Sequence, residues 1–280
     1  MKSTKNPMLA FVHIEKAAGT TFIHILRKNY FPKYADVRPF YELSGDVFSD
    51  RDFKLMKRLI PGLKCIGGHS VVPHSDMFRN NNFQLVTILR DPIKRYMSQY
   101  QHWVEKKNIS ISFEEFLGYE ELWNFQTKKI SGDINIEHAK DILRNDFMLV
   151  GCVEKFDEFL VLLRYKLNNK PIDIRYWKKN IAHNKISVDG LIEKYRPEII
   201  ERNSIDIELH KFVLTELYSS YISEYRGSVS EAVENFKTKE NTIGPSAVKL
   251  YIDYIFRKLY IETTTGIIRT INGKKYKGSY

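Results

Sequence analysis

The sequence predicts an α/β fold: a central, mostly parallel sheet flanked by helices in three layers. Two observations carry this. Residues 9–14, 83–89 and 147–153 are short runs rich in apolar β-formers, with the length of buried strands. Each run is followed by apolar residues at helical spacing: Phe22, Ile25, Leu26 and Tyr30 after the first, Ile93, Tyr96, Met97, Tyr100 and Val104 after the second, and Phe156, Phe159, Leu160 and Leu163 after the third.

The first unit, Phe11-Val12-His13-Ile14-Glu15-Lys16-Ala17-Ala18-Gly19-Thr20-Thr21, is the anchor of the chain. Gly19 permits a tight turn, and Thr20 and Thr21 offer hydroxyls where the helix begins. A strand, a short turn and a helix start direct free N–H groups and the positive end of the helix dipole at one spot, which makes an anion site. Lys16 adds a mobile charge there. A lysine in such a turn is also common in α/β proteins without a phosphate site. The stretch departs from the pattern G-x-x-x-x-G-K-[ST], because its lysine precedes a single glycine and no Ser or Thr follows to hold Mg²⁺.

Residues 31–62 read as irregular, with a short helix over 52–59. Residues 63–66 form a short strand running into Gly67-Gly68-His69-Ser70, where two glycines let the backbone bend and the ring of His69 project from a strand end. A lone histidine is more often structural, but its titration near neutral pH suits general-base work, and His74 competes for the role. After the strand 83–89 comes Arg90-Asp91-Pro92, with Asp91 as N-cap and Pro92 in the first helical position. Arg90 therefore stands at the C-terminal end of a strand, the edge where open parallel sheets bind ligands. Ser98 lies almost two turns into the helix and avoids its apolar stripe. The bland alternative makes Arg90 a partner of Asp91 and Ser98 a surface residue.

Residues 112–119 and 137–145 read as helices, separated by the polar–aromatic stretch 123–128. Residues 154–166 form an amphipathic helix, residues 176–185 a basic loop containing Lys178, Lys179, Asn180, His183 and Lys185, and residues 197–221 one long helix or two. The tail from Gly227 differs in character. Residues 248–261 form an aromatic-rich helix, for which packing on the core is favoured over lying on a membrane surface. Asn272-Gly273 is a hairpin-like turn signal. The domain expectation is one body over 1–226 and an extension over 227–280 that serves as an appendage or an oligomer contact.

The chain has 280 residues, 44 Lys and Arg against 34 Asp and Glu, and a net charge of +10. This excess favours anionic partners without choosing among nucleotides, acidic glycans, nucleic acid and membrane surfaces. Two cysteines, Cys65 and Cys152, give no disulfide framework, which suits a reducing compartment. No apolar signal region and no transmembrane segment is evident, so the expectation is a cytoplasmic protein.

Together these segments resemble the sulfotransferase family that includes the heparan sulfate 2-O-sulfotransferases. That family's first motif runs like F-x-H-I-P-K-T-A-G-T-[ST], against Phe11 to Thr21 here, and its second like L-R-D-P-[IV]-x-R-x-x-S-x-[YF], against Leu89-Arg90-Asp91-Pro92-Ile93-Lys94-Arg95-Tyr96-Met97-Ser98-Gln99-Tyr100. Gly68-His69 matches a G-H pair between them, and Asn124-Phe125-Gln126-Thr127 and residues 150–156 also look familiar. The likeness covers about residues 9–225. One departure is Glu15 in place of the usual proline, which puts a carboxylate near an anion site unless it points away, paired with a lysine.

The resemblance implies a P-loop nucleotide-kinase-like fold and transfer of a sulfuryl group from PAPS (3′-phosphoadenosine 5′-phosphosulfate) to an acceptor hydroxyl, on a carbohydrate by analogy, without a metal. It implies that Lys16, Ala17, Ala18, Gly19, Thr20 and Thr21 hold the 5′-phosphosulfate, with Lys16 also stabilising the leaving oxygen. Arg90 and Ser98 would hold the 3′-phosphate, and His69 would take the acceptor's proton. The expected partner is the acceptor rather than nucleic acid, and a homodimer is open. Two other classes remain: a non-catalytic protein binding nucleotide or anionic glycans, and a Mg²⁺-dependent P-loop kinase.

Overall fold

The computed structural model describes residues 7–41, 46–167, 172–177, 188–240 and 247–273. Five strands form one sheet: β1 (Met8–Val12), β2 (Tyr34–Asp36), β3 (Cys65–Gly68), β4 (Phe83–Leu89) and β5 (Phe147–Cys152). Their order is β2-β3-β1-β4-β5, and every neighbouring pair is parallel. Parallel strands need helical crossovers that cover both faces, which is why β1 and β4 are apolar almost throughout rather than alternating. The result is the expected α/β, P-loop-like arrangement. The strand that was not anticipated, β2, is a three-residue edge inside the segment read as irregular.

The helices that position the site are α1 (Gly19–Tyr30), α2 (Asp50–Leu59), α3 (Pro92–Gln101), α4 (Phe125–Ser131), α5 (Ile136–Asn145), α6 (Phe156–Lys166) and α7 (Ser204–Phe212). α1 buries Phe22, Ile25 and Leu26 on the sheet, as its spacing predicts. Phe22 meets Phe11 edge-on at 4.8 Å and Phe159 of α6 at 5.2 Å. α2 opens with a capping box between Ser49 and Asp52, and α3 with Asp91 capping Lys94 N at 2.9 Å and Pro92 in the first turn. The polar–aromatic stretch is the start of α4, whose first N–H groups are capped by Asp206 of α7: Gln126 N and Thr127 N donate to it at 3.0 and 2.8 Å.

Beyond Gly227, the helix Val229–Asn235 and the following Phe236 bury Val229, Val233 and Phe236 in the main core. Two more helices, α8 (Ala247–Phe256) and α9 (Thr263–Ile271), are joined by a wider-turn helical stretch, Arg257–Glu262. They lie on the same body: Phe256 meets Phe31 edge-on at 5.5 Å, Tyr260 Oη donates to Leu59 O at 3.0 Å, and Arg269 donates to Pro39 O at 3.0 Å. Asn272 follows α9 as its C-terminal cap and Gly273 adopts φ +72°, so the turn signal there ends a helix rather than forming a hairpin. Among the described residues no helix is long and apolar enough to cross a membrane.

Candidate active site

Strand order reverses at β1, with β3 on one side and β4 on the other. In open α/β sheets the crevice beyond the carboxyl ends of such strands is where ligands bind. The register sets Val12 beside both Gly68 and Thr87, so β1 and β3 end level and β4 runs two residues further. The segments that leave them carry the three motifs read from the sequence: residues 13–18 after β1, His69 after β3 and Arg90 after β4.

The loop after β1 is a strained concavity. Lys16 and Ala18 both sit in the left-handed region, at φ 66° and 56°, which costs non-glycine residues of order 1–3 kcal/mol each. Alternation of backbone hand makes successive N–H groups converge, forming an anion nest. α1 then starts at Gly19, one residue earlier than the threonines suggested. Its N-cap is Ala18, which offers no capping side chain, so the first N–H groups of the helix stay open. Thr20 and Thr21 occupy the first turn, and their hydroxyls make no hydrogen bond among the described residues. Gly19 is required by packing: a Cβ there would lie 1.8 Å from His13 Nε2.

Positive charge gathers on this loop, offset in part by Glu154 and Asp91 at Arg90 and by Asp206 and Glu15 at Arg95. The Lys16 ammonium has no carboxylate partner among the described residues. Its pKa is lowered by burial and by repulsion from Arg90, Arg95 and Lys106. Arg90 is half-buried, donates from Nη1 to Lys16 O at 3.0 Å, and has its own pKa lowered by burial. Gln126 brackets the Arg90 peptide, accepting from Arg90 N and donating to Arg90 O, both at 2.9 Å. Arg95 is fully buried over the Phe125 ring at 4.6 Å and donates to Leu122 O at 3.3 Å, yet its Nε and Nη1 find no partner. Buried donors and cations left unpaired are costly. Their concentration at one helix start makes this a site built for an anion. Ser98 of α3 is half-buried with its hydroxyl unbonded among the described residues.

His69 projects from the end of β3 and is 43% exposed at its side chain. Its Nδ1 lies 3.0 Å from Glu15 Oε1 and 3.3 Å from His13 O, and its ring stacks on His13 at 4.0 Å. Glu15 therefore points to His69, and also to Lys129 of α4, whose ammonium is 3.7 Å from Oε1 and donates to His69 O. Burial alone would raise the Glu15 pKa, but the His69 hydrogen bond and the Lys129 charge outweigh it and hold the carboxyl at about 2. The same burial, reinforced by His69 and Lys129, pushes His13 down to about 3, so His13 is a neutral packing ring, with Nδ1 unpartnered. His74 is elsewhere: its ring borders Gly132 at the end of α4, where a Cβ would lie 3.2 Å from its Nδ1.

Sequence reasoning missed the Glu15–His69 pair, the buried Arg95 and the roles of Gln126 and Lys129. Arg95 is visible as the second arginine of its motif; the others become neighbours only through the tertiary fold. Of the basic stretch 176–185, Tyr176 and Trp177 line a small cleft beside Thr21 and His24 of α1. Lys178, Lys179, Asn180, His183 and Lys185 lie outside the described residues. Cys152, Glu154 and His210 present ligand atoms within 4.8 Å of one another. Both Glu154 oxygens are already engaged, by Asp91 N at 3.0 Å and His210 Nε2 at 3.3 Å, so the trio ties β5 and α7 to the start of α3.

The open helix start and the basic side chains around it suit an anionic ligand, and comparison specifies the family. The sequence model of the sulfotransferase family matches residues 2–195, and the chain belongs to that family, whose reaction is sulfuryl transfer. No curated protein matches the sequence. Among solved structures, a sulfotransferase from Alicyclobacillus acidocaldarius is similar at 17% identity and TM-score 0.40, over 73% of this chain and 97% of its own. The mouse sulfotransferase SULT7A1 complexed with PAP is similar at 12% identity and TM-score 0.40, over 91% of this chain and 90% of its own.

Proposed function

We propose that this chain is a PAPS-dependent O-sulfotransferase that uses His69 as its general base. The observation that carries the reading is the cluster of Lys16, which has no carboxylate partner among the described residues, with Arg90 and Arg95 near the open N-terminus of α1. In the reading, the N–H groups of residues 17–21 and the Thr20 and Thr21 hydroxyls hold the 5′-phosphosulfate. Lys16 stabilises charge on the bridging oxygen as the S–O bond breaks. Arg90 and Ser98 hold the 3′-phosphate, a dianion suited to a guanidinium fork and a hydroxyl.

Glu15 supports the base assignment. By accepting from Nδ1–H it fixes the His69 tautomer with Nε2 free, and Nε2 makes no hydrogen bond among the described residues. Nε2 takes the proton from the acceptor hydroxyl as its oxygen attacks sulfur in line, and the carboxylate stabilises the imidazolium that forms. Catalysis then rests on positioning and on fixed charge, as in phosphoryl transfer. The proposed acceptor is a saccharide hydroxyl, on the resemblance to the heparan sulfate 2-O-sulfotransferases.

The test is calorimetric titration with PAP, the desulfonated donor, in metal-free buffer, with ATP–Mg²⁺ as control. Micromolar or tighter PAP binding with weak ATP binding is expected. Failure to bind PAP overturns the reading.

A further inference from the structure

α3 does not end as an α-helix. After Gln101 it widens into a π turn, His102–Lys106, closed by Lys107 N donating to His102 O at 3.1 Å. Other π turns occur at Val213–Leu217, Phe236–Glu240 and Arg257–Glu262, so such a turn marks nothing by itself. This one continues the helix that opens with the Arg90-Asp91-Pro92 motif and carries Ser98. Its effect is geometric. Four residues of α-helix overshoot one full turn, whereas four residues of a π turn fall short of it. The two offsets oppose each other over Ser98, His102 and Lys106, so the three side chains stand in one column, each four residues from the next.

That column runs beside the anion loop. Lys106 is close enough to Lys16 for its charge to lower the Lys16 pKa, and Lys16 acts in the same way on His102. Burial is the larger cause of the low His102 pKa, and Lys107 and Lys106 add to the effect of Lys16, so the ring is neutral near pH 7. The His102 ring is half-buried and makes no hydrogen bond among the described residues. Lys106 is exposed and forms no ion pair among them. A neutral imidazole carries one N–H donor. That donor and two ammonium groups, from the loop after β1 and from the end of α3, are thus gathered at one place against their mutual repulsion. An anion between them removes the repulsion and satisfies the ring.

Resting on the reading that PAPS is the donor, we propose that His102, assisted by Lys106, is a further donor-binding residue whose ring N–H donates to the 5′-phosphosulfate held by Lys16. The column then leads from Ser98, assigned to the 3′-phosphate, to the group at Lys16. Neither His102 nor Lys106 belongs to the motifs at the strand ends; the π turn brings them into line with Ser98. A bound phosphate favours the imidazolium, so the contribution of His102 grows as the pH falls below neutrality.

The experiment is calorimetric titration of the full chain, and of its His102→Gln and Lys106→Gln variants, with PAP and, by competition, with adenosine 3′-monophosphate, which has no 5′-phosphate. His102→Gln is expected to weaken PAP binding by about tenfold, the loss of a hydrogen bond to a charged group. Lys106→Gln removes an exposed charge, and a loss of about threefold is expected. Affinity for adenosine 3′-monophosphate should stay within about twofold in both variants, and the gap in PAP affinity between parent and His102→Gln should be wider at about pH 6 than at about pH 8. Lys106 is exposed, so its variant keeps the test open should His102→Gln unfold. PAP affinity unchanged in either folded variant overturns the proposal. So does equal weakening of PAP and adenosine 3′-monophosphate, which would mark a structural effect away from the 5′ end. Failure of the parent itself to bind PAP is a separate result: it overturns the PAPS reading, and this inference with it.

Discussion

Replacing Gly19 by alanine tests the anion loop where its geometry is tightest. The new Cβ would fall 1.8 Å from His13 Nε2 and 2.0 Å from Cδ2, against about 3.4 Å for an ordinary contact, so one partner must move by about 1.6 Å. The His13 ring is held by stacking on Phe11 at 5.3 Å and on His69 at 4.0 Å, and it is buried. The displacement therefore falls on the loop that carries Lys16. Overpacking of this kind costs about 1–3 kcal/mol, or a fall in Tm of roughly 2–12 °C for a chain of this size. In the proposed reading, moving the N–H cradle by more than 1 Å also weakens PAP binding by tenfold or more, read by calorimetry. Adding His13→Ala removes the obstructing ring, so the double-mutant cycle should show a coupling of about 1 kcal/mol or more. A Gly19→Ala protein that melts and binds PAP like the parent would refute both the close packing and the loop's assignment.

The remaining substitutions separate donor from base. Lys16→Ala and Arg90→Ala each remove a charge-assisted contact, about 1.5–3 kcal/mol, so PAP affinity should fall roughly tenfold to a hundredfold by calorimetry. His69→Ala should leave PAP affinity within about twofold and remove turnover; near-normal turnover would move the base assignment to His74. Stability should depend on pH through His13, whose pKa falls from 6.5 to about 3 on folding. The unfolded chain binds the extra proton, so stability is full above pH 6.5 and declines as pH falls toward 3. The loss is about 2 kcal/mol between pH 7 and 5, and in denaturant titrations His13→Gln should lack it. Glu15 and Glu154, each held at about 2, contribute stability that is present above pH 4.5 and lost as pH falls toward 2.

Much of the fold was legible because the signals that set it are local. The strand Phe83–Leu89 and the cap Asp91-Pro92 match the sequence reading residue for residue, since a buried parallel strand must be apolar and its helix needs a cap. The edge strand β2 was not legible: three residues carry too little periodicity, and their pairing with β3 is a long-range event. The candidate residues could be placed at the strand ends because each motif pairs a backbone-bending residue with a charged or titratable one. The Asn124–Thr127 stretch was noticed without its reason, which is distant in sequence. Asn124 Oδ1 accepts from Ile205 N, Asp206 caps α4, and Gln126 holds the Arg90 peptide. In the tail, Phe256 and Ile261 pack on the core as favoured, while which other apolar residues stay exposed was not legible, because helical periodicity locates an apolar stripe but not the side of the helix on which the chain supplies a partner.

Glu15 shows how a departure from a motif can be absorbed and then used. Its N–H donates no backbone hydrogen bond among the described residues, so the position has no need of a donor and tolerates the proline of the related motif. Freed from that ring, the side chain reaches across to the strand end of β3 and takes His69 Nδ1. The residue that holds the proposed base is therefore peptide-bonded to Lys16, the residue proposed for the leaving oxygen. In the proposed reaction the two groups must sit on opposite sides of the sulfur, and an error in either spoils the line of attack. Joining them through one peptide bond, with His13 packed beneath both, couples the placement of the base to that of the donor grip. The carboxylate that looked hostile to an anion is thus engaged by His69 and Lys129, the contacts through which it would act in the proposed reaction.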